Sequence, residues 1–143
     1  MTPDELASRV AHGMLAAEGT GPAWGLKIEE VRKDYARVSM LVRPDMLNGH
    51  GIAHGGMIFA LADSAFAYVC NGANHASVAA QASIVFLDKA AEGETLIAEA
   101  AEVARQGRAG VTRVSVRTAD GRAIAEFTGY SRTLGGAVIS PGA

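Results

Sequence analysis

The stretch from Asn48 to Gly72, NGHGIAHGGMIFALADSAFAYVCNG, constrains the fold more than any other part of this chain. It begins as a polar, glycine-rich loop and continues as an apolar run, in which Asp63 and Ser64 are the strongly polar side chains between Met57 and Cys70. The run is rich in alanine and lacks the alternation of a half-buried strand, so it predicts a helix. A helix that is apolar on nearly every side is buried, and this one is shorter than the ~20 residues of a membrane span. We therefore expect a central helix wrapped by the rest of the chain.

Asp63 lies inside this predicted helix. Aspartate is almost never fully buried without a partner, because burying its charge is costly. Two interpretations are open: Asp63 makes structural hydrogen bonds at a polar interface, or it serves as a catalytic acid or base. We favour the second.

The glycine pair Gly55-Gly56 stands at the predicted start of the same helix. Without side chains there, a ligand can approach the free N–H groups of the first turn. The positive end of the helix dipole lies at the same place and favours developing negative charge. The pair is either a flexible entry turn or an oxyanion site at Gly55, and we favour the oxyanion site.

Asp63 and Gly55 are too far apart to act together within one chain. They are 8 residues apart in the sequence, which is about 12 Å along a helix axis. Reacting groups need separations of about 3 Å from a shared substrate atom. A second helix running antiparallel across a two-fold axis would bring Asp63 of one chain towards Gly55 of the other. The spacing therefore predicts a homodimer with shared sites.

Composition excludes several classes of protein. The chain has 143 residues, of which 49% are hydrophobic and 20% charged, as expected of a single globular domain. The net charge of −2 argues against nucleic-acid binding. His50 and His54 lack further ligands at a recognisable spacing, so no metal site is predicted. One cysteine, Cys70, and an N-terminus without a long apolar segment favour a cytoplasmic protein that is not anchored in a membrane.

The remaining elements predict an antiparallel sheet curled around the helix, an α+β class in one domain over residues 1–143. An N-terminal helix over about 3–18 and a linker precede the first strand, which begins at Trp24. Alanines in the strand over 77–87 are expected to let the helix approach the sheet. The other predicted strands cover 36–43, 94–105, 110–118 and 122–132, and a loose tail follows over about 134–143.

This order of elements, with NGHGIAHGG leading into ALADSAFAYVCN, resembles the hotdog-fold acyl-CoA thioesterases of the phenylacetate-degradation (PaaI) type. The stretch RQGRAGVTRVSVRTADGRAIAEFTGYSR is similar to the last three strands of that family, and the resemblance covers roughly residues 20 to 132. It implies the hotdog fold, in which an antiparallel β-sheet wraps around a central α-helix. It also implies dimers with antiparallel helices, which commonly pair into tetramers.

The resemblance implies roles for individual residues. Asp63 matches the catalytic carboxylate, and Gly55 matches the residue whose N–H polarises the thioester carbonyl. Asn48 matches the loop asparagine that helps to place the thioester, and His54 matches the histidine of the HGG motif. Where some relatives place a water-holding Ser or Thr, this chain has Ala67.

Several expectations accompany this assignment. Coenzyme A enters as part of the substrate, and no separate cofactor is expected. Its phosphates require local cations, for which Lys89, Arg105 and Arg108 are the candidates. Phe59, Phe66 and Tyr68 are expected in the core.

The assignment leaves alternatives open. The expected reaction is hydrolysis of aryl-acetyl-CoA or similar thioesters, with Asp63 as general base or nucleophile. One alternative is a hotdog hydratase or dehydratase, although the HGG loop lacks the proline-rich histidine loop of the dehydratases. The other is a non-catalytic acyl-CoA binding module.

Overall fold

The computed structural model describes residues 1–140, which form three α-helices, a short 3-10 turn and six strands. The helices are α1 (Pro3–Ala17), α2 (Thr20–Trp24) and α3 (Gly55–Cys70), and the 3-10 turn is Pro44–Met46. The strands are β1 (Lys27–Arg32), β2 (Tyr35–Leu41), β3 (Ser77–Phe86), β4 (Thr95–Gln106), β5 (Ala109–Thr118) and β6 (Ala123–Thr133).

The six strands make one sheet in the order β1-β2-β4-β5-β6-β3, and every pairing is antiparallel. Helix α3 follows β2 in the chain and packs across β2 to β6. The chain then returns to the far edge of the sheet as β3. A single antiparallel sheet around a central helix is therefore confirmed.

Helix α3 is buried because its apolar side chains meet the inner face of the sheet. Leu61, Phe66 and Tyr68 are at most 1% exposed. At Gly129 of β6, an added β-carbon would lie 2.7 Å from the Phe66 ring, so only glycine leaves room for that ring. Burial of these side chains supplies the main driving force for the wrapped fold.

The alanines that let the helix approach lie mainly on β4, not on the strand predicted from 77–87. Ala98 and Ala100 of β4 are fully buried, whereas Ala79 and Ala80 of β3 are exposed. The difference arises because β4 is central in the sheet and β3 is an edge strand. Strand β3 consequently leaves an apolar edge exposed, including Val85 at 60%.

The N-terminal region also differs from the prediction. Helix α1 ends at Ala17 and begins with a capping box, in which Thr2 Oγ1 accepts from the Glu5 N–H at 3.1 Å. The expected linker and the start of the first strand form the short helix α2, and β1 begins at Lys27. Gly25 ends α2 with a φ of +67°, a conformation that favours glycine.

The segment predicted as a loose tail has no helix or strand from Leu134 to Ser140. It is nevertheless held in place, because Asn74 Oδ1 accepts from the Val138 and Ile139 N–H groups, both at 2.9 Å. Ile139 also packs against Gly13 of α1. Residues 141–143 of the predicted tail lie outside the described residues.

Candidate active site

The N-terminus of α3 presents one free amide. Nδ1 of the N-cap residue His54 accepts from the Gly56 N–H at 2.8 Å, and the His54 carbonyl accepts from the Met57 N–H at 2.9 Å. Within residues 1–140, the Gly55 N–H makes no hydrogen bond. His54 accepts hydrogen bonds from the Gly56 and Met57 N–H groups but not from that of Gly55. The Gly55 amide therefore remains available for a ligand at the positive end of the helix dipole.

Asn48 organises the loop that leads into α3. Its Oδ1 accepts from the His50 N–H at 2.9 Å and from the Ile52 N–H at 3.4 Å, while its own N–H donates to the Ile52 carbonyl at 2.8 Å. These bonds fix the orientation of the amide group, since the oxygen must face the loop. Its Nδ2 group has no partner within residues 1–140 and can donate outward.

Asp63 occupies the side of α3 that the sheet leaves uncovered. Gly56, Ala60, Asp63 and Ala67 follow one another at helical spacing along this side, and each is partly or fully exposed. Burial raises the pKa of the Asp63 carboxyl above its ordinary value. Within residues 1–140 its side chain makes no hydrogen bond, so the carboxylate is desolvated without a structural partner.

Ser64 does not complete this site. Its Oγ donates to the Ala60 carbonyl at 2.9 Å, which ties the hydroxyl to the helix backbone. The next turn offers Ala67, whose methyl group cannot hold water. Neither side chain therefore offers a free hydroxyl donor beside Asp63 for holding water.

Phe86 is a neighbour of Gly55 that the sequence did not predict. Its ring atom Cζ lies 3.1 Å from the position that a β-carbon on Gly55 would occupy. In contrast, Phe59, Phe66 and Tyr68 pack in or against the core, as expected. Phe59 and Phe66 contact the Phe127 ring with centroid distances of 5.3 and 5.9 Å.

Two of the predicted cations lie together beside the last turn of α3. Arg105 and Arg108 line a cavity of about 600 Å³, to which Lys33 and His75 also contribute. Arg105 Nε donates to Glu102 at 2.6 Å, whereas Arg108 has no ion pair within residues 1–140.

Lys89 lies elsewhere, on the segment that supports the loop before α3. The next residue, Ala90, accepts from the Ala53 N–H at 2.8 Å, one residue before the N-cap. A single chain thus does not bring Lys89 to the two arginines.

Two side chains that line the cavity, Glu102 and Cys70, have raised pKa values. Burial raises the pKa of the Glu102 carboxyl; the charge of Arg105 opposes this rise, and the neighbouring Asp34 carboxylate adds to it. Burial raises the pKa of the Cys70 thiol to about 12. No cluster of three or more His, Cys, Asp or Glu side chains that could hold a metal ion occurs in the described part of the chain.

The sequence profile of the thioesterase superfamily matches residues 50–125. The chain is 39% identical to the acyl-coenzyme A thioesterase PaaI of Escherichia coli over 129 residues, covering 90% of this chain and 91% of that protein. The chain belongs to the thioesterase superfamily.

Solved structures with the same fold agree with this assignment. The E. coli PaaI protein from the phenylacetic acid degradation operon matches with a TM-score of 0.93 and 35% identity, covering 95% of this chain and 99% of that one. The Streptococcus mutans protein smu.793, bound to acetyl-CoA, matches with a TM-score of 0.75 and 27% identity over 78% and 90% of the two chains.

These matches confirm the resemblance to the PaaI-type thioesterases and the hotdog fold. They also confirm the prediction that the protein is a thioester hydrolase. The superfamily profile spans the loop before α3, the helix itself and the strands up to β6. Gly55 and Asp63 therefore lie within the matched region. Among the described residues, no helix has the length and apolar character that crossing a membrane requires.

Proposed function

We propose that this thioesterase hydrolyses acyl-CoA, with a preference for aryl-acetyl groups such as phenylacetyl or hydroxyphenylacetyl. The observation that carries the proposal is the free Gly55 N–H at the start of the helix that also holds the unpartnered carboxylate of Asp63. The name of the E. coli relative and the acetyl-CoA bound to the S. mutans protein support CoA thioesters as the substrate class. The single cysteine, Cys70, allows no disulfide within the chain, which fits a reducing, cytoplasmic setting.

In this mechanism, the thioester carbonyl oxygen accepts a hydrogen bond from the Gly55 N–H. A single oxyanion donor of this kind commonly contributes about 3 kcal/mol of transition-state stabilisation. Water attacks the carbonyl carbon, the C–S bond breaks, and the proton from water passes through Asp63 to the departing thiolate. The raised pKa of Asp63 makes it a stronger base than an ordinary aspartate.

Alternatively, the Asp63 carboxylate attacks the carbonyl carbon itself, forming an anhydride that water then hydrolyses. A single turnover in heavy-oxygen water distinguishes the two routes. Label in Asp63 after the turnover indicates the anhydride, because a general base gains no oxygen from water.

The proposed site is shared between two subunits. The unpaired, apolar edge of β3 offers a place for a second copy to pair. Antiparallel α3 helices would then bring Asp63 of one subunit to Gly55 and Asn48 of the other. Two such dimers would form a tetramer.

The same arrangement assigns the basic residues to coenzyme A. The last turn of α3 in one subunit, with Arg105 and Arg108 beside it, would approach the loop before α3 in its partner, which carries Lys89 on the adjoining segment. Cations from both subunits would therefore flank the phosphates, which the protein's net charge of −2 does not attract by itself.

A panel of acyl-CoA substrates, assayed with a thiol reagent, tests the proposal. We expect phenylacetyl-CoA to be hydrolysed with a higher kcat/KM than acetyl-CoA. A clear preference for acetyl-CoA contradicts the aryl-acetyl assignment. Water addition to an enoyl-CoA without thiol release would indicate a hydratase, and tight binding without turnover would indicate a binding module.

A further inference from the structure

The ring of Phe86 occupies the space that a side chain on Gly55 would fill. Three ring atoms, Cζ, Cε1 and Cε2, lie 3.1, 3.4 and 3.6 Å from the position of a β-carbon on Gly55. Any larger residue at position 55 would displace the ring. The first residue of α3 and the last residue of β3 are therefore matched in shape, although 31 positions separate them in the sequence.

The other side of this ring is open. Phe86 is 51% exposed, whereas Phe127 of the neighbouring strand β6 is 1% exposed. Phe86 pairs in register with the buried Ala125, so its side chain lies on the sheet face towards α3. The preceding Val85 pairs with the exposed Glu126 and lies on the opposite face. Within a single chain, Phe86 is thus an apolar ring with a free surface beside an unused amide, at the edge of the sheet where a second subunit would pair.

A carbonyl bound to the Gly55 N–H would lie close to this ring. A hydrogen bond holds the carbonyl oxygen about 2.9 Å from the amide nitrogen, and that nitrogen is about 1.5 Å from the Gly55 Cα, on which the ring packs. A substituent of the carbonyl carbon that extends towards β3 must therefore contact the ring. The acyl group is apolar and gains from this contact, whereas the pantetheine arm carries amides that prefer polar partners.

We infer that Phe86 is a specificity-determining residue, whose ring forms one wall of the acyl pocket and favours aromatic acyl groups. This inference rests on the proposed acyl-CoA thioesterase function. Aromatic rings prefer edge-to-face or offset contacts with one another, and a half-exposed phenylalanine at the end of an edge strand can offer either. An acetyl group is too short to contact the Phe86 ring. The contact therefore favours longer, flat acyl groups.

The test compares Phe86→Leu and Phe86→Ala with the wild type on acetyl-, hexanoyl- and phenylacetyl-CoA. We expect Phe86→Ala to lower kcat/KM for phenylacetyl-CoA about tenfold and for acetyl-CoA by less than about twofold. Phe86→Leu, which keeps an apolar side chain but removes the ring, should lower phenylacetyl-CoA hydrolysis more than hexanoyl-CoA hydrolysis. Leu41→Ala on β2, which is 51% exposed like Phe86 and has no part in the proposed site or subunit contact, is the matched control and should leave kcat/KM for all three substrates unchanged.

An equal loss on all three substrates, or no loss on any, would overturn the inference, because a structural role or a contact with the pantetheine arm affects every CoA thioester alike. Thermal unfolding of each variant establishes that it is folded. The kcat/KM values of the wild type alone test the proposed substrate preference. The inference about Phe86 is tested separately, because it depends only on the kcat/KM of each variant relative to the wild type. Calorimetric binding of the three acyl-CoAs in an Asp63→Asn background gives the same comparison without turnover.

Discussion

Nδ1 of His54 accepts a hydrogen bond of 2.8 Å from the Gly56 N–H, the second amide of α3, and so caps the helix that carries Asp63. The sequence assigned His54 to the active site through the HGG motif. We predict a positioning role for it, because the cap fixes the first turn and leaves the Gly55 amide without a hydrogen-bond partner.

His54→Ala should therefore lower the free energy of unfolding by about 1 kcal/mol, the usual cost of losing an N-cap. His54→Ser restores a capping oxygen and should recover most of that stability. Denaturant unfolding measures both. If His54→Ser recovers stability and activity together, the histidine acts through the cap; if it recovers stability alone, the imidazole also acts on the substrate.

Asp63→Asn should leave a folded protein and lower kcat at least about 100-fold, the lower end for loss of a general base. The amide is nearly the same shape as the carboxylate but cannot accept the proton or attack the thioester. Steady-state thiol release measures kcat, and circular dichroism checks the fold. Near-normal turnover by a folded variant would remove Asp63 from the chemistry.

The raised pKa of Asp63 also predicts a dependence of stability on pH. Since the charged form is disfavoured in the folded state, Asp63 destabilises the fold at pH 7, and the penalty disappears as pH falls through the folded pKa towards the ordinary value of 3.8. Asp63→Asn should thus melt above the wild type at neutral pH, with a difference that shrinks on acidification. A constant difference between pH 4 and 7 would contradict the desolvation of this carboxylate.

Mixed dimers test whether the site is shared. Asp63→Asn removes the carboxylate, and Gly55→Pro removes the amide donor at the first helical position, which tolerates proline if the Phe86 ring moves aside. Each homodimer should be inactive, whereas a mixed dimer contains one intact site. With random pairing, half the dimers are mixed and half their sites work, so co-expression should restore roughly a quarter of wild-type activity.

Differential tags on the two chains must first establish that mixed dimers form. Asn48→Ala offers a second partner for Asp63→Asn that leaves the helix start unchanged. Mixed dimers without recovered activity would place the chemistry within one chain.

Arg108→Ala should raise KM for acyl-CoA about tenfold with little change in kcat, since loss of one charge-assisted phosphate contact is of this size. Arg108 is a better residue to replace than Arg105, because the ion pair of Arg105 with Glu102 gives Arg105 a structural role as well. An acyl-pantetheine substrate lacks the nucleotide phosphates and provides the control. If KM rises equally for that substrate, Arg108 does not bind phosphate.

The sequence predicts the parts of this site that lie within one continuous segment. Gly55 and Asp63 both occur in an alanine-rich run whose helical character follows from composition and spacing. The contact of Phe86 with Gly55 depends on where the end of β3 meets the start of α3, which requires the register of β3 on β6. No local pattern encodes that register, because apolar residues in 84–87 fit a buried strand equally well.

The C-terminal tail is a second example of a contact that no local sequence pattern encodes. Its glycines predict a loose tail, and residues 134–140 form no helix or strand. Asn74 contributes to its attachment, because it adopts a φ of +64° and directs its side chain to the Val138 and Ile139 backbone. A contact of one side chain with backbone groups 64 and 65 positions away leaves no periodic signal in the sequence.

The burial of Cys70 has a practical consequence for measuring this enzyme. A disulfide reagent reacts with thiolates, and a thiol with a pKa of about 12 remains protonated at the neutral pH of such an assay. The chain has one cysteine, so it contributes no other thiol to the reading. Colour that develops after addition of acyl-CoA therefore counts released coenzyme A, and high enzyme concentrations can be used for slow variants without a rising blank.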